Sequence, residues 1–223
     1  MDASPPAERR RRDGVRAAAP LAVAVAAFGV SFGLLARAEG WGWAAPIVMS
    51  ATTFAGSAQF ATLSVLGGGG TVAAAITSAL LLNARYGPIG ATVAPYLTGP
   101  SWSRFLHAQL VVDESWAIAA EGHGRYNPRM LIGAGLTLYA AWVGGTALGA
   151  FFGEVLGDPE TLGLDAAFPA LFLALVVPQV RERRALAAAL MGAAIALTLT
   201  PLAPAGIPIL AASVASLLGV RRA

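Results

Sequence analysis

Apolar residues run in long blocks along most of the chain, and polar residues gather between the blocks rather than alternating within them. The hydrocarbon core of a bilayer takes roughly 20 apolar residues of α-helix, so the pattern predicts membrane-spanning helices at roughly 16–38, 43–66, 71–97, 129–153, 166–181, 185–203 and 205–221. Alanine supplies most of the apolar character of 185–203, and the window 166–181 is short.

Charge placement adds an eighth candidate. RRRR at Arg9–Arg12, RERR at Arg181–Arg184 and RR at Arg221–Arg222 are cytoplasmic by the positive-inside rule, which puts both termini inside and makes the number of crossings even. The loop GEVLGDPETLGLD holds Glu154, Asp158, Glu160 and Asp165 and no arginine, and it must lie outside if one further span returns the chain to the cytoplasmic cluster. One crossing is then missing before residue 154. SWSRFLHAQLVVDESWAIAAE, Ser101 to Glu121, is long enough to supply it, because as a helix it would reach about 31 Å. The alternative is that this stretch lies on the surface and a re-entrant excursion near Asn83–Pro88 alters the count.

Composition agrees with this reading. Of 223 residues, 57% are hydrophobic and 12% charged, against about 25% charged in soluble domains. Mean hydropathy is +0.66. All fifteen basic residues are arginine, and they flank the apolar blocks, so the basic balance reads as topology signals and no nucleic-acid partner is expected. The absence of cysteine excludes disulfides and thiolate metal sites. The first apolar run is longer than a secretory signal and lacks a clear cleavage site, so it reads as a retained span. The expected fold is all-α, a polytopic integral membrane helical bundle of seven or eight segments, with broken or re-entrant helices near 83–88 and 101–121. Residues 1–14 are expected to be a disordered, arginine-rich cytoplasmic tail, and 15–223 a single transmembrane domain of the inner (cell) membrane.

Within a membrane, charges and broken helices are costly unless they line protein or water, which singles out three stretches. SATTFAGSAQFATLS, Ser50 to Ser64, is rich in small residues that allow close helix approach, and Gln59 can donate and accept there. It serves either helix packing or a polar binding surface. TSALLLNARYGPIGATVAPYL, Thr77 to Leu97, carries Asn83 and Arg85 just before Gly87 and Pro88. Pro88 lacks a backbone donor and disfavours helix at Gly87, and a helix broken there exposes half-helix ends of the kind that bind carboxylates and cations in transporters. Arg85 suits a carboxylate of a solute or of another helix, or it snorkels to an interface. In VVDESWAIAA, Val111 to Ala120, Asp113 and Glu114 are adjacent, so on a helix they diverge by about 100°. One could pair with Arg85 while the other faces a cavity as a proton carrier or a counter-charge for an ammonium; on a solvated turn they would do neither.

Other polar features are plainer. His107 and His123 have no metal-like spacing, so no metal or other cofactor is expected. GGGG at Gly67–Gly70 ends a span and lacks the lysine of a phosphate loop. Most of the five tryptophans fall where interfacial anchors would lie.

Five of these stretches, FGVSFGLLARAEG, FAGSAQFA, LLLNAR, VVDESWAIA and GLDAAFPALFLALVVPQ, occur in an order that resembles the AzlC family of bacterial branched-chain amino acid permeases, from about Arg16 to Val220. The resemblance implies an inner-membrane exporter of valine, leucine and isoleucine acting with a small hydrophobic subunit of the AzlD type. Tyr86 stands where many members are expected to carry a histidine. Joined to the residue reading, the resemblance gives a substrate site of Gln59, Asn83, Arg85, Asp113 and Glu114, with Asp113 and Glu114 as the proton-coupling candidates. No ATP-binding motif is present, and no catalytic constellation is expected. The rival readings are a transporter of another small zwitterion, a non-transporting subunit that stabilises or regulates a partner, and an intramembrane hydrolase using Ser57, which has no suitable base.

Overall fold

A computed structural model of the chain describes residues 10–122, 124–156, 173, 177, 180, 183–203 and 207–215. The expected window 166–181 lies outside them but for single residues, as do the acidic loop after residue 156, His123, residues 1–9 and the end of the last expected span.

Two helices form the axis of the fold: α1 (Arg11–Ala38) and α8 (Pro128–Leu156). Among the described residues only these are long and apolar enough to cross a bilayer unaided. They run close because glycines alternate across their seam. A methyl group on Gly29 would sit 2.6 Å from the Trp142 carbonyl oxygen, and one on Gly145 would strike the Ala26 carbonyl. Gly33 and Gly149 repeat the arrangement one turn on, against Thr146 and Val30. Small residues at such seams let helix backbones approach where the hydrophobic effect gives no drive to associate. α1 starts with the Arg10 amide donating to the Asp13 carboxylate (2.7 Å) and ends in a Schellman turn. There Gly40, at φ 79°, directs its own amide to Arg37 and that of Trp41 to Ala36.

The expected span 43–66 is two helices, α2 (Ala44–Thr53) and α3 (Gly56–Gly67). Phe54 lies between them at φ 43°, ψ 49°, the one described non-glycine residue with positive φ. Such a conformation costs about 1–3 kcal/mol, and its surroundings must hold it. They do so by meeting the carbonyls that the break frees: Tyr139 Oη donates to Ala51 O at 2.8 Å and Gln109 Nε2 to Thr52 O at 2.8 Å. Phe54 itself is buried, edge-on to Tyr139. α3 ends at the glycine run in a second Schellman turn, with Gly70 N donating to Val65 O.

The expected break near 83–88 is milder. α4 (Val72–Asn83) and α5 (Tyr86–Val93) are separated by Ala84 and Arg85, both with helical dihedrals, and the chain tightens through Ala84 N to Leu81 O and Gly87 N to Ala84 O. Pro88 falls in the first turn of α5, where its missing amide has no helical partner to lose. A 3-10 turn (Ala94–Tyr96) follows.

Ser101–Glu121 does not form one continuous crossing helix. It divides into α6 (Ser101–Ala108) and α7 (Asp113–Ala119), and the chain then turns through a short hairpin, β1 (Ala120–Gly122) with β2 (Arg125–Tyr126). The reason lies at the carboxylates. Asp113 and Glu114 occupy the first turn of α7, where the free amides favour negative charge, instead of the middle of a helix. Ser115 fixes the turn, accepting from Val112 N at 2.9 Å and donating to Leu110 O at 2.7 Å.

α9 (Arg183–Leu199) packs on α10 (Ile207–Ser213), which also touches α4. The core lies between α1, α3 and α8, where Phe32, Phe60 and Trp142 stack and abut with centroids 5.5–6.1 Å apart. Outward faces remain apolar, with Ile76, Leu80, Leu136 and Phe151 exposed.

Candidate functional site

Three chain breaks converge on one small cavity. Phe54, Gly56 and Ser57 reach it from the α2–α3 break, Arg85 and Tyr86 from the α4–α5 junction, and Val112, Asp113 and Glu114 from the start of α7. Val25, Phe28, Leu138 and Trp142 of the α1–α8 axis close the remaining wall. Its volume is about 90 Å³.

Arg85 is the hub. Its Nη2 lies 3.0 Å from Asp113 Oδ2 and donates to Ser57 Oγ at 3.1 Å and more weakly to Tyr86 Oη at 3.4 Å. The guanidinium carbon stands 5.2 Å from the centre of the Tyr86 ring, within cation–π range. The Arg85 and Asp113 side chains are each 36% exposed, so the pair opens to the cavity and is not sealed in the core. Arg85 Nε is buried and has no partner among the described residues. Glu114 lines the same cavity beside Asp113. The site thus presents one guanidinium, two carboxylates, two hydroxyls and the first residues of α3, edged by aromatic and aliphatic surface.

The two expected amide residues lie elsewhere. Gln59 is fully buried behind the cavity wall and engaged on both ends of its amide. Its Nε2 donates to Ser50 Oγ (2.8 Å), while its Oε1 accepts from Trp142 Nε1 (3.0 Å) and Ala55 N (3.3 Å). Thr146 Oγ1 gives its only proton to Trp142 O (2.9 Å), so Ser50 must be the donor in the 2.9 Å contact between the two hydroxyls. The resulting chain of hydrogen bonds closes on itself and ties the α2–α3 break to α8. Asn83 does not line the cavity, and its Oδ1 is buried without a partner among the described residues.

Sequence reasoning therefore places Arg85, Asp113 and Glu114 together and omits some of what surrounds them. Ser57, a small residue and a candidate hydrolase nucleophile by sequence, accepts a bond from Arg85. Ser50, Thr146 and Trp142 carried no polar role. Their signal was the recurrence of hydroxyl and indole groups at helix-interior positions that face small residues.

Residues 20–156 match the family described as AzlC protein. Among relatives, a membrane protein of Archaeoglobus fulgidus is 32% identical, the alignment covering 92% of this chain and 91% of that one. Inner membrane protein YgaZ of Escherichia coli is 26% identical over 84% of this chain and 81% of its own length. The branched-chain amino acid transport protein AzlC of Bacillus subtilis is 27% identical over 74% and 65%. No solved structure matches. The matched segment runs from α1 to the end of α8 and so contains every residue that lines the cavity: this chain belongs to the AzlC family.

Proposed function

We propose that this chain is a permease, not an enzyme, that exports branched-chain amino acids across a bacterial inner membrane with both of its termini in the cytoplasm. The observation that carries the reading is the Arg85–Asp113 pair, held at the meeting of three chain breaks and open to a cavity. A zwitterion is the complement of such a pair: its carboxylate replaces Asp113 on Arg85, and its ammonium takes the vacated Asp113. The start of α3 offers free amides to the same carboxylate, as half-helix ends do in transporters. Phe28, Phe54 and Leu138 supply apolar surface for a branched side chain. The relative from Bacillus subtilis, named for branched-chain amino acid transport, supports the same substrate class.

The cavity of about 90 Å³ is well under the roughly 300 Å³ at which small-molecule pockets begin, so the pair is closed on itself in this conformation. Loading parts Arg85 from Asp113, which couples substrate entry to movement of α7 relative to the α4–α5 junction. Glu114, adjacent and facing the same space, is the proton-coupling group. A small hydrophobic AzlD-like subunit completes the exporter.

The test is efflux of labelled valine or leucine from dipeptide-loaded cells that express this chain alone, with the small subunit, or with neither. Efflux that needs both proteins is the expected result. Background efflux with both proteins present in the membrane overturns the reading.

A further inference from the structure

A second, larger cavity of about 440 Å³ lies between α5, the 3-10 turn and α6, and its volume is in the range of small-molecule sites. The linings of the two cavities share one residue, Tyr86. The larger one is walled mainly by aliphatic and aromatic groups, among them Val93, Leu97, Phe105 and Val111. Among the described residues its single charge is Arg104, and no carboxylate lines it. Arg104 has no carboxylate partner among the described residues, unlike Arg85, and the residue is exposed. An apolar pocket whose one charge, among the described residues, is a guanidinium suits a small solute that carries a carboxylate on a hydrocarbon body.

We propose that this cavity is an outer binding compartment for an aliphatic carboxylate, anchored by Arg104, and that Tyr86 is the partition between it and the Arg85 site. The proposal rests on the permease reading and adds a second station to the solute's path. Charge separates the two stations. The outer one answers only the carboxylate, whereas the inner one, with Asp113 and Glu114, also answers an ammonium. Tyr86, which lines both cavities, is held by the same guanidinium that binds Asp113, through its hydroxyl at 3.4 Å and its ring face at 5.2 Å. Parting Arg85 from Asp113 therefore disturbs the partition as well.

The chain contains no cysteine, so single thiols report on each compartment without background. Ala108→Cys probes the outer cavity and Ser57→Cys the inner one, each read as the rate of N-ethylmaleimide labelling of the full chain in nanodiscs. Leucine and 4-methylpentanoate, which carry the carboxylate, are expected to slow labelling of the Ala108→Cys thiol at least about fivefold, and isoamylamine is not. Arg104→Gln is expected to abolish this protection and Arg104→Lys to keep part of it. Equal protection by isoamylamine, or protection that survives Arg104→Gln, overturns the outer site. For the partition, Tyr86→Ala is expected to speed labelling of the Ser57→Cys thiol at least about tenfold while the Ala108→Cys rate stays constant. No change at Ser57→Cys, or an equal change at both positions, overturns it. Leucine efflux from cells expressing the unsubstituted chain with the small subunit separates the two levels: protection without that efflux defeats the permease reading and leaves the outer site standing.

Discussion

The indole N–H of Trp142 on α8 meets the side-chain oxygen of Gln59 on α3 at 3.0 Å, and both residues are buried. This bond fastens the break in the α2–α3 segment to the α1–α8 axis and keeps the strained Phe54 in place. It also orients the start of α3 at the rim of the cavity. Gln59 thus acts on the site through the backbone it holds.

Replacing Gln59 with leucine leaves the Trp142 and Ala55 donors buried without an acceptor. Each such loss costs about 1–3 kcal/mol, so Gln59→Leu should destabilise the fold by about 2–6 kcal/mol. Trp142→Phe removes one donor but leaves Gln59 Oε1 bonded to Ala55 N, and it should cost less. Unfolding in a denaturing-detergent titration measures both. A Gln59→Leu protein as stable as the parent would show that the ring of hydrogen bonds holds nothing in place.

Arg85 and Asp113 should behave in the opposite way. Each side chain is 36% exposed, so solvent screening limits the pair to about 1 kcal/mol of stability or less. If the pair is kept for transport, Arg85→Ala and Asp113→Asn should each reduce leucine flux more than about tenfold while expression and melting stay near the parent's, because a charge-assisted contact to the solute is lost. Arg85→Lys keeps the charge but loses the planar fork, and it should fall between. Flux that survives all three substitutions at normal protein levels removes the pair from the mechanism.

The α1–α8 seam gives a sharp contrast between neighbouring glycines. A methyl on Gly145 strikes the Ala26 backbone, whereas one on Gly144 meets nothing within 4 Å. Gly145→Ala should therefore cost about 1–3 kcal/mol through overpacking, and Gly144→Ala should be neutral or stabilising by up to about 1 kcal/mol from reduced chain entropy. Melting of the two purified variants settles the matter, and equal behaviour would mean that the helices slide apart to admit the methyl.

Arg85, Asp113 and Glu114 were legible in the sequence because charge inside an apolar block is rare and has few explanations. The helices 128–156 and 11–38 were legible for the converse reason, since their apolar runs are unbroken and of bilayer length. The break at Phe54 was not. Left-handed backbone is read from glycine or asparagine, and here tertiary hydrogen bonds from Tyr139 and Gln109 hold a phenylalanine in it. Proline and glycine at 87–88 drew attention to a junction that merely tightens, because Pro88 falls in a helical first turn. A broken segment over 101–121 was legible from its length and its paired charges, but the place of the break was not: it falls at 109–112, and the adjacent carboxylates at 113 and 114 start a helix of their own.

Asp113 and Glu114 share a first turn yet differ in their contacts, and this separates the last experiment from the Arg85 series. Asp113 is engaged by Arg85 at 3.0 Å, whereas Glu114 lines the cavity without that contact. If Glu114 carries the coupled proton, Glu114→Gln keeps the shape of the site and its hydrogen bonding but fixes it in one protonation state. Such a protein should still exchange internal for external labelled leucine across proteoliposomes at near the parent rate. It should no longer accumulate leucine when a gradient of about one pH unit is imposed, while the parent concentrates it by up to about tenfold, the limit for one coupled proton. Asp113→Asn, by contrast, should lose exchange and accumulation together, because it removes the partner for the solute's ammonium. Accumulation by Glu114→Gln equal to that of the parent would move the coupling to another group, and loss of exchange as well would make Glu114 part of the solute's own binding shell.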